Sequence, residues 1–342
     1  MATSEHEAGG ASARARVTVF AVGGTIASTG VQASTTGPVT PSLSGVDLVQ
    51  SLPQLDEVAT VGVREFRQMP SCDLSFQDVQ ELVALVDDEF DGGVDGVVVT
   101  QGTDTLEETS FLMDLLVRSA RPVVVTGAMR NPTLAGPDGP ANLLGAVRVA
   151  ASPEAVGLGV LVVMNDEIHA ARFVAKTHST STATFHSLNV GPIGWLVEGR
   201  ARFLAHPIRR EPSSPEPVGA IPAVALVRVA LGDDDRLLAQ IALLGYAGLV
   251  IEGFGAGHVP ARVVATLADL AQRIPVVLAS RTGSGSVLSG TYGFAGSERD
   301  LLSRGLVSAG FLDGQKARIL LSVLLGRGSD TEAIRDAFRH FS

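Results

Sequence analysis

The chain of 342 residues has one cysteine, Cys72. An intrachain disulfide is therefore excluded and the fold must rest on its core. A lone thiol suits a reducing compartment without requiring one. Long apolar runs are missing too: no stretch reaches the ~20 residues that a membrane-spanning helix needs. Positive charge is in deficit, with 26 Lys and Arg against 36 Asp and Glu and a formal net charge of -10. Such a balance disfavours non-specific binding to nucleic acid or to an anionic membrane surface. Tyrosine occurs only at Tyr246 and Tyr292. His169, His178 and His186 have no HxxxH spacing and no cysteine cluster beside them, so they read as structural and no metal site is expected. The first 14 residues are polar and rich in Ala, Gly and Ser, without the apolar centre of a signal peptide. They read as a disordered tail, and the chain reads as soluble and cytoplasmic.

What the chain does have is 45% hydrophobic and 18% charged residues, enough for a large core. Its length suggests two domains. Apolar β-branched runs stand at 17–22, 96–100, 122–126, 158–164, 223–229, 248–252 and 275–279. They lack strict alternation, as strands of a parallel sheet buried on both faces do. Between them lie helical patterns at 76–89, 105–118, 142–151, 234–244, 261–272 and 314–325. Thr105 followed by Glu108 has the spacing of a capping box. Strands alternating with helices predict an α/β fold with mainly parallel sheets. A proline-dense linker at 207–220 divides a larger N-terminal α/β domain, 15–206, from a smaller C-terminal one, 221–342.

In such sheets ligands bind beyond the carboxyl ends of the strands. Gly23-Gly24-Thr25 follows the first strand. It fits neither the GxxxxGK[ST] nor the GxGxxG phosphate-binding pattern, and alone it is most simply a turn. Yet two glycines let backbone N–H groups approach a ligand, and Thr25 offers a hydroxyl that a base can activate. Gln101-Gly102-Thr103-Asp104-Thr105 follows another strand and opens a helix. One of its three polar residues suffices as an N-cap, and Asp104 can also bind an ammonium group. Gly127-Ala128-Met129-Arg130 follows a third strand. Lys176 is most simply a surface lysine, but beside Thr103 and Asp104 it can relay a proton.

AVGGTIAST and GVVVTQGTDTLEETSF, in this order and each after a strand, resemble the two active-site signatures of the bacterial-type L-asparaginase family. VVTGAMR, GPDGPANLLGAV, GVLVVMNDEIHAAR, KTHSTSTATFHS and QKARILL add to the likeness, which spans about residues 16–342. The resemblance implies a flavodoxin-like N-terminal domain and hydrolysis of L-asparagine, a small-molecule substrate, to aspartate and ammonia with no metal or cofactor. It also implies a homotetramer built from close dimers. Thr25 takes the place of the nucleophile, and Thr103, Asp104 and Lys176 that of a second catalytic group. Ser71 matches the residue that binds the substrate α-carboxylate, Asp104 binds the α-ammonium, and the Ala128 carbonyl holds the side-chain amide. Backbone N–H groups around Gly24–Thr25 or Gly102–Thr103 would stabilise the oxyanion.

The chain departs from that pattern in places. Pro38 stands where the family carries a loop tyrosine, and it has neither hydroxyl nor N–H to relay a proton. Cys72 replaces a glutamine beside Ser71. His258 stands at a position that reaches the substrate's amino end across a dimer. Tyr292 lies in a Gly-rich segment that supplies intersubunit contacts in the family; two readings stand, that it reaches a neighbour's site and partly replaces the lost tyrosine, or that it is a core or turn residue. Three readings stay open from sequence: an asparaginase, an amidohydrolase acting on glutamine or another small amide, and a weakened amino-acid-binding protein of the same fold.

Overall fold

The computed structural model describes residues 14–30, 39–41, 43–207 and 218–342. Pro38, the expected tail to residue 13 and most of the expected linker lie outside the described residues. The strands in chain order are β1 (Arg16–Ala21), β2 (Ser28–Gly30), β3 (Val39–Pro41), β4 (Thr60–Glu65), β5 (Gly96–Thr100), β6 (Val123–Thr126), β7 (Val160–Met164), β8 (Glu167–Ala170), β9 (Val174–Lys176), β10 (Phe185–Ser187), β11 (Gly194–Val197), β12 (Arg200–Phe203), β13 (Val224–Arg228), β14 (Gly248–Gly253), β15 (Val276–Ser280) and β16 (Val307–Ser308). The α-helices are α1 (Gly45–Gln50), α2 (Leu55–Val58), α3 (Phe76–Asp91), α4 (Leu106–Leu116), α5 (Gly139–Ala150), α6 (Val264–Ala271), α7 (Glu298–Ser303), α8 (Gly314–Gly326) and α9 (Thr331–Arg339).

Eight strands form one sheet in the order β12-β11-β8-β7-β6-β5-β1-β4. From β4 to β7 all neighbours are parallel, and antiparallel β8, β11 and β12 extend the far edge. Both faces are buried. Val97, Val99, Val123 and Val125 share one core with α3 and α4, whereas Val98, Val124, Leu161 and Val163 share another with α5. That explains the unbroken valine runs: successive side chains point to opposite faces, and here each face meets a helix layer. A second sheet, β13-β14-β15-β16, is parallel throughout. Its Val250 and Val277 join the core that also holds Phe111 and Leu112 of α4 and Ile319 and Leu320 of α8. The helices of the two sheets are thus packed into one apolar layer. No helix among the described residues is long and apolar enough to cross a membrane.

Two local expectations fail. The predicted helix at 234–244 is only a 3-10 turn, Leu238–Gln240. Leu238 and Ile241 are buried, but Leu237, Leu243 and Leu244 are exposed, so one turn is anchored and the rest has no face to bury. The predicted capping box at Thr105 and Glu108 is not made either. The Thr105 side chain makes no cap and donates instead to the Ser71 carbonyl at 2.9 Å. It therefore joins two loops rather than closing a helix.

Ser75 does cap its helix. Its side chain accepts from the Asp78 N–H while Asp78 accepts from the Ser75 N–H. Replacing Ser75 by alanine is expected to lower the unfolding free energy by about 1 kcal/mol, measured as a lower denaturant midpoint at unchanged slope.

Candidate active site

Register decides where the polar loops emerge. Ala21 pairs with Thr100, and Thr100 with Thr126. The turns after β1, β5 and β6 therefore leave the same edge of the sheet side by side, bringing Thr25, Thr103 and Ala128 into one neighbourhood. The first two loops meet through glycine. A Cβ on Gly24 would lie 2.2 Å from the Gly102 nitrogen and 2.4 Å from its Cα, and Gly24 has φ +86°. Only a residue without a side chain allows both the conformation and the backbone-to-backbone contact. A Cβ on Gly102 would in turn lie 2.7 Å from Ser71 Oγ. Gly24, Gly102 and Ser71 thus stack in succession, and Thr105 ties Ser71 to the second loop from behind.

Lys176 comes from β9. Its Nζ donates to Thr103 Oγ1 at 2.9 Å and to Asp104 Oδ1 at 2.7 Å. Thr103 is buried. The Asp104 side chain is 71% exposed against 14% for Lys176, so a face of its carboxylate is open to a ligand. Ser71 is buried, and its hydroxyl finds no partner in the protein. A buried polar atom without a partner is costly, and this cluster holds two of them, Ser71 Oγ and, on the loop of Gly102, Gln101 Oε1. Among the described residues the backbone N–H groups of Thr25 and Thr103 meet no protein acceptor.

The third loop is held by side chains that the sequence reading did not single out. Asp138 accepts from the N–H groups of Met129 and Arg130, at 3.0 and 2.8 Å. Asn142 donates to the Gly127 carbonyl at 3.0 Å and accepts from the Asn165 N–H. Ala128, buried between them in sequence, is placed by this frame. The signal was present in GPDGPANLL, whose Asp and Asn sit four apart at the start of α5 and so face one way.

Two carboxyl groups beneath the site are also new. Glu107 is buried, and its carboxyl is pushed up to about 7 by burial, against the opposing pull of the Lys316 ammonium and the Lys176 N–H. Glu108 is likewise raised by burial, with Arg318 opposing. His169 is fully buried beside Ser187 Oγ at 3.0 Å, and burial pushes it down to about 4. A neutral core histidine fits that setting. Among the described residues no group of three or more His, Cys, Asp or Glu side chains could hold a metal ion. Cys72 is free and exposed.

His258 and Tyr292 are not brought to Thr25 by the contacts within this chain. Their rings meet edge to face at 4.8 Å, with Phe294 5.1 Å from His258. Buried Glu298 accepts from His258 Nε2 and from the Thr291 and Tyr292 N–H groups. Burial pushes the Glu298 carboxyl up, but these hydrogen bonds outweigh it and hold it below its ordinary value.

Comparison with known proteins shows the family. The family profile "Asparaginase, N-terminal" matches residues 16–209, and "Glutaminase/Asparaginase C-terminal domain" matches residues 223–338. The chain belongs to the asparaginase family. It is 35% identical to an L-asparaginase of Bacillus licheniformis over 94% of this chain and 98% of that protein. It is 38% identical to a probable L-asparaginase of Deinococcus radiodurans, over 94% and 97%. The crystal structure of a probable cytoplasmic L-asparaginase from Campylobacter jejuni superposes with a TM-score of 0.87 at 32% identity, covering 95% of this chain and 99% of that one. The asparaginase fold, with its larger N-terminal and smaller C-terminal α/β parts, is the one described above.

Because Gly24 touches Gly102 through backbone atoms that cannot rotate away, Gly24→Ala is expected to cost roughly 2–5 kcal/mol of unfolding free energy. A denaturant titration checks this, and a loss below about 0.5 kcal/mol, the ordinary scale of a surface substitution, would mean that the two loops are not pressed together.

Proposed function

We propose that the protein is an L-asparaginase and that Thr25 is its nucleophile. The observation that carries the reading is the Thr103–Lys176–Asp104 cluster, set against the Gly24–Gly102 contact with the partnerless Ser71 hydroxyl beside it. Such a site suits a small zwitterion. The α-carboxylate of asparagine goes to Ser71 Oγ, and the α-ammonium to the open face of Asp104. The Ala128 carbonyl accepts from the side-chain amide N–H.

Thr25 Oγ1 then attacks the amide carbon. Its proton passes through Thr103 and Lys176 to the leaving nitrogen, the C–N bond breaks, and ammonia leaves an ester on Thr25. Water attacks that ester and releases aspartate, returning the proton to Thr25. The backbone N–H groups of Thr25 and Thr103, which meet no acceptor among the described residues, serve the developing oxyanion. This assignment gives the relay to Thr103 and Lys176, as Pro38 has no group for it. A cytoplasmic location, as the name of the Campylobacter relative has it, goes with this reading. So does a homotetramer of close dimers in which His258 and Tyr292 face a neighbour's site. In support, Tyr292 and Phe294 are 43% and 51% exposed, a ring pair that an adjoining subunit would cover. The domain division near residues 207–220 is part of the same proposal.

Ammonia release from asparagine and glutamine tests the reading. Thr25→Ala is expected to lower kcat by at least about 1,000-fold. Ser71→Ala is expected to raise KM by about 10- to 100-fold, the worth of one hydrogen bond to a charged group, with a smaller effect on kcat. Equal rates in wild type and Thr25→Ala would remove Thr25 from the mechanism.

A further inference from the structure

Lysine is almost absent from this chain. Of the 26 basic residues only Lys176 and Lys316 are lysines; the rest are arginines. The two lie 140 positions apart, yet both bond within the same three-residue strand, β9. Lys176 ends that strand. Lys316, from α8 in the C-terminal half, is 2% exposed and donates to the Val174 carbonyl at 2.6 Å.

Among the described residues β9 pairs only with β10, in a two-stranded sheet. Its other edge therefore lacks a neighbouring strand, and an isolated two-stranded pair is weak on its own. Two buried charges stand where that neighbour would be. Glu107 Oε2 accepts the Lys176 N–H at 2.6 Å, and Lys316 Nζ donates to the Val174 carbonyl. Residues two apart along a strand present their backbone groups to the same edge. The donor on that edge has met a carboxylate and the acceptor an ammonium. Each charge matches the backbone group that it serves, and hydrogen bonds to charged groups are the stronger kind.

We propose that Glu107 and Lys316 are positioning residues that grip the free edge of β9, and so set the Lys176 ammonium against Thr103 and Asp104. The proposal rests on the reading of Lys176 as the proton relay. Glu107 follows Thr103 and Asp104 by one helical turn on the same loop and helix, so its bond fixes the span between the relay's two halves directly. Lys316 fixes the strand from the other part of the molecule. Its own position is set by Asp313, which accepts from Lys316 Nζ at 3.1 Å and caps α8 through the Lys316 N–H. The charged groups that act on Glu107 are Lys316 and Asp313 from the α8 side and Glu108 from its own helix, with the Lys176 N–H from β9. Burial raises Glu107, so its negative form, the stronger acceptor, is lost on acidification.

The scarcity of lysine makes the test direct. The full-length protein is treated with an amine-acylating reagent, and the modification rate of Lys176 is followed by mass spectrometry in wild type, Glu107→Ala and Glu107→Gln. Glutamine keeps the shape and an acceptor oxygen, so it stands in if the alanine variant fails to fold. Lys176 is expected to react faster in Glu107→Ala than in wild type, with Glu107→Gln between them. On asparagine, kcat is expected to fall about 10- to 100-fold in Glu107→Ala, the loss that a misplacement near 1 Å brings, with KM within about twofold. Lys316→Met is expected to repeat this pattern, and its effect combined with Glu107→Gln is expected to be smaller than the product of the two. A folded Glu107→Ala or Glu107→Gln whose Lys176 labelling and kcat both match wild type would overturn the proposal. If wild type released no ammonia from asparagine, the functional reading would fall, while the labelling comparison would still decide whether the grip exists.

Discussion

The contact between Gly24 and Gly102 is the constraint on which the site depends. Two loops from neighbouring parallel strands approach until backbone meets backbone, at a spacing that no side chain would fit. Everything proposed for the chemistry follows from that closeness. Thr25 comes next to Gly24 and Thr103 next to Gly102, so the contact sets the distance from nucleophile to relay. Ser71 packs on the far side of Gly102, so the same contact sets where a substrate carboxylate can sit. The parallel register of β1, β5 and β6 delivers the loops to one edge, and glycine allows the final approach.

Around this contact the structure spends buried polarity freely. Ser71, Thr103, Glu107, Asn142 and Lys316 are all buried. A core built only for stability would avoid most of them, since a buried charge is weak evidence for stability. Here each has a placing role. Asn142 and Asp138 hold the Ala128 loop, Glu107 and Lys316 hold β9, and Ser71 alone keeps its hydroxyl uncommitted. Burial raises Glu107 well above an ordinary carboxyl, which marks the cost of keeping it where it stands.

The large features were legible in the sequence because they follow from simple periodicities. Apolar runs such as 96–100 and 158–164 announced strands covered on both faces, and strands formed at Gly96–Thr100 and Val160–Met164. The strand ends could be named as well, so the loops that carry Thr25, Thr103 and Ala128 were read from position, while the resemblance assigned the roles of these residues. Lys176 was harder. Its strand has three residues and is bonded along one edge by Glu107 and Lys316, which are distant in sequence, so no local pattern marks it. The residue reading left it between a surface lysine and a proton relay, and the resemblance favoured the relay. The 234–244 segment failed for the opposite reason: its leucines have helical spacing, but Leu237, Leu243 and Leu244 find no core. Thr105 failed because its side chain is engaged with the Ser71 carbonyl and makes no bond to the helix N–H groups. His258 and Tyr292 depend on a second subunit in the proposed assembly, and nothing local in one chain can fix their role.

The central claim is that the Gly24–Gly102 contact, with Ser71 on one side and the Lys176 cluster on the other, is the place where the substrate sits. A crystal structure of the protein with L-aspartate bound tests it most directly. The α-carboxylate is expected on Ser71 Oγ, the α-ammonium on Asp104, and the side-chain carboxylate within about 3 Å of Thr25 Oγ1, the reach of a reacting pair. Aspartate bound elsewhere, or bound here with Ser71 Oγ still without a partner, would contradict it.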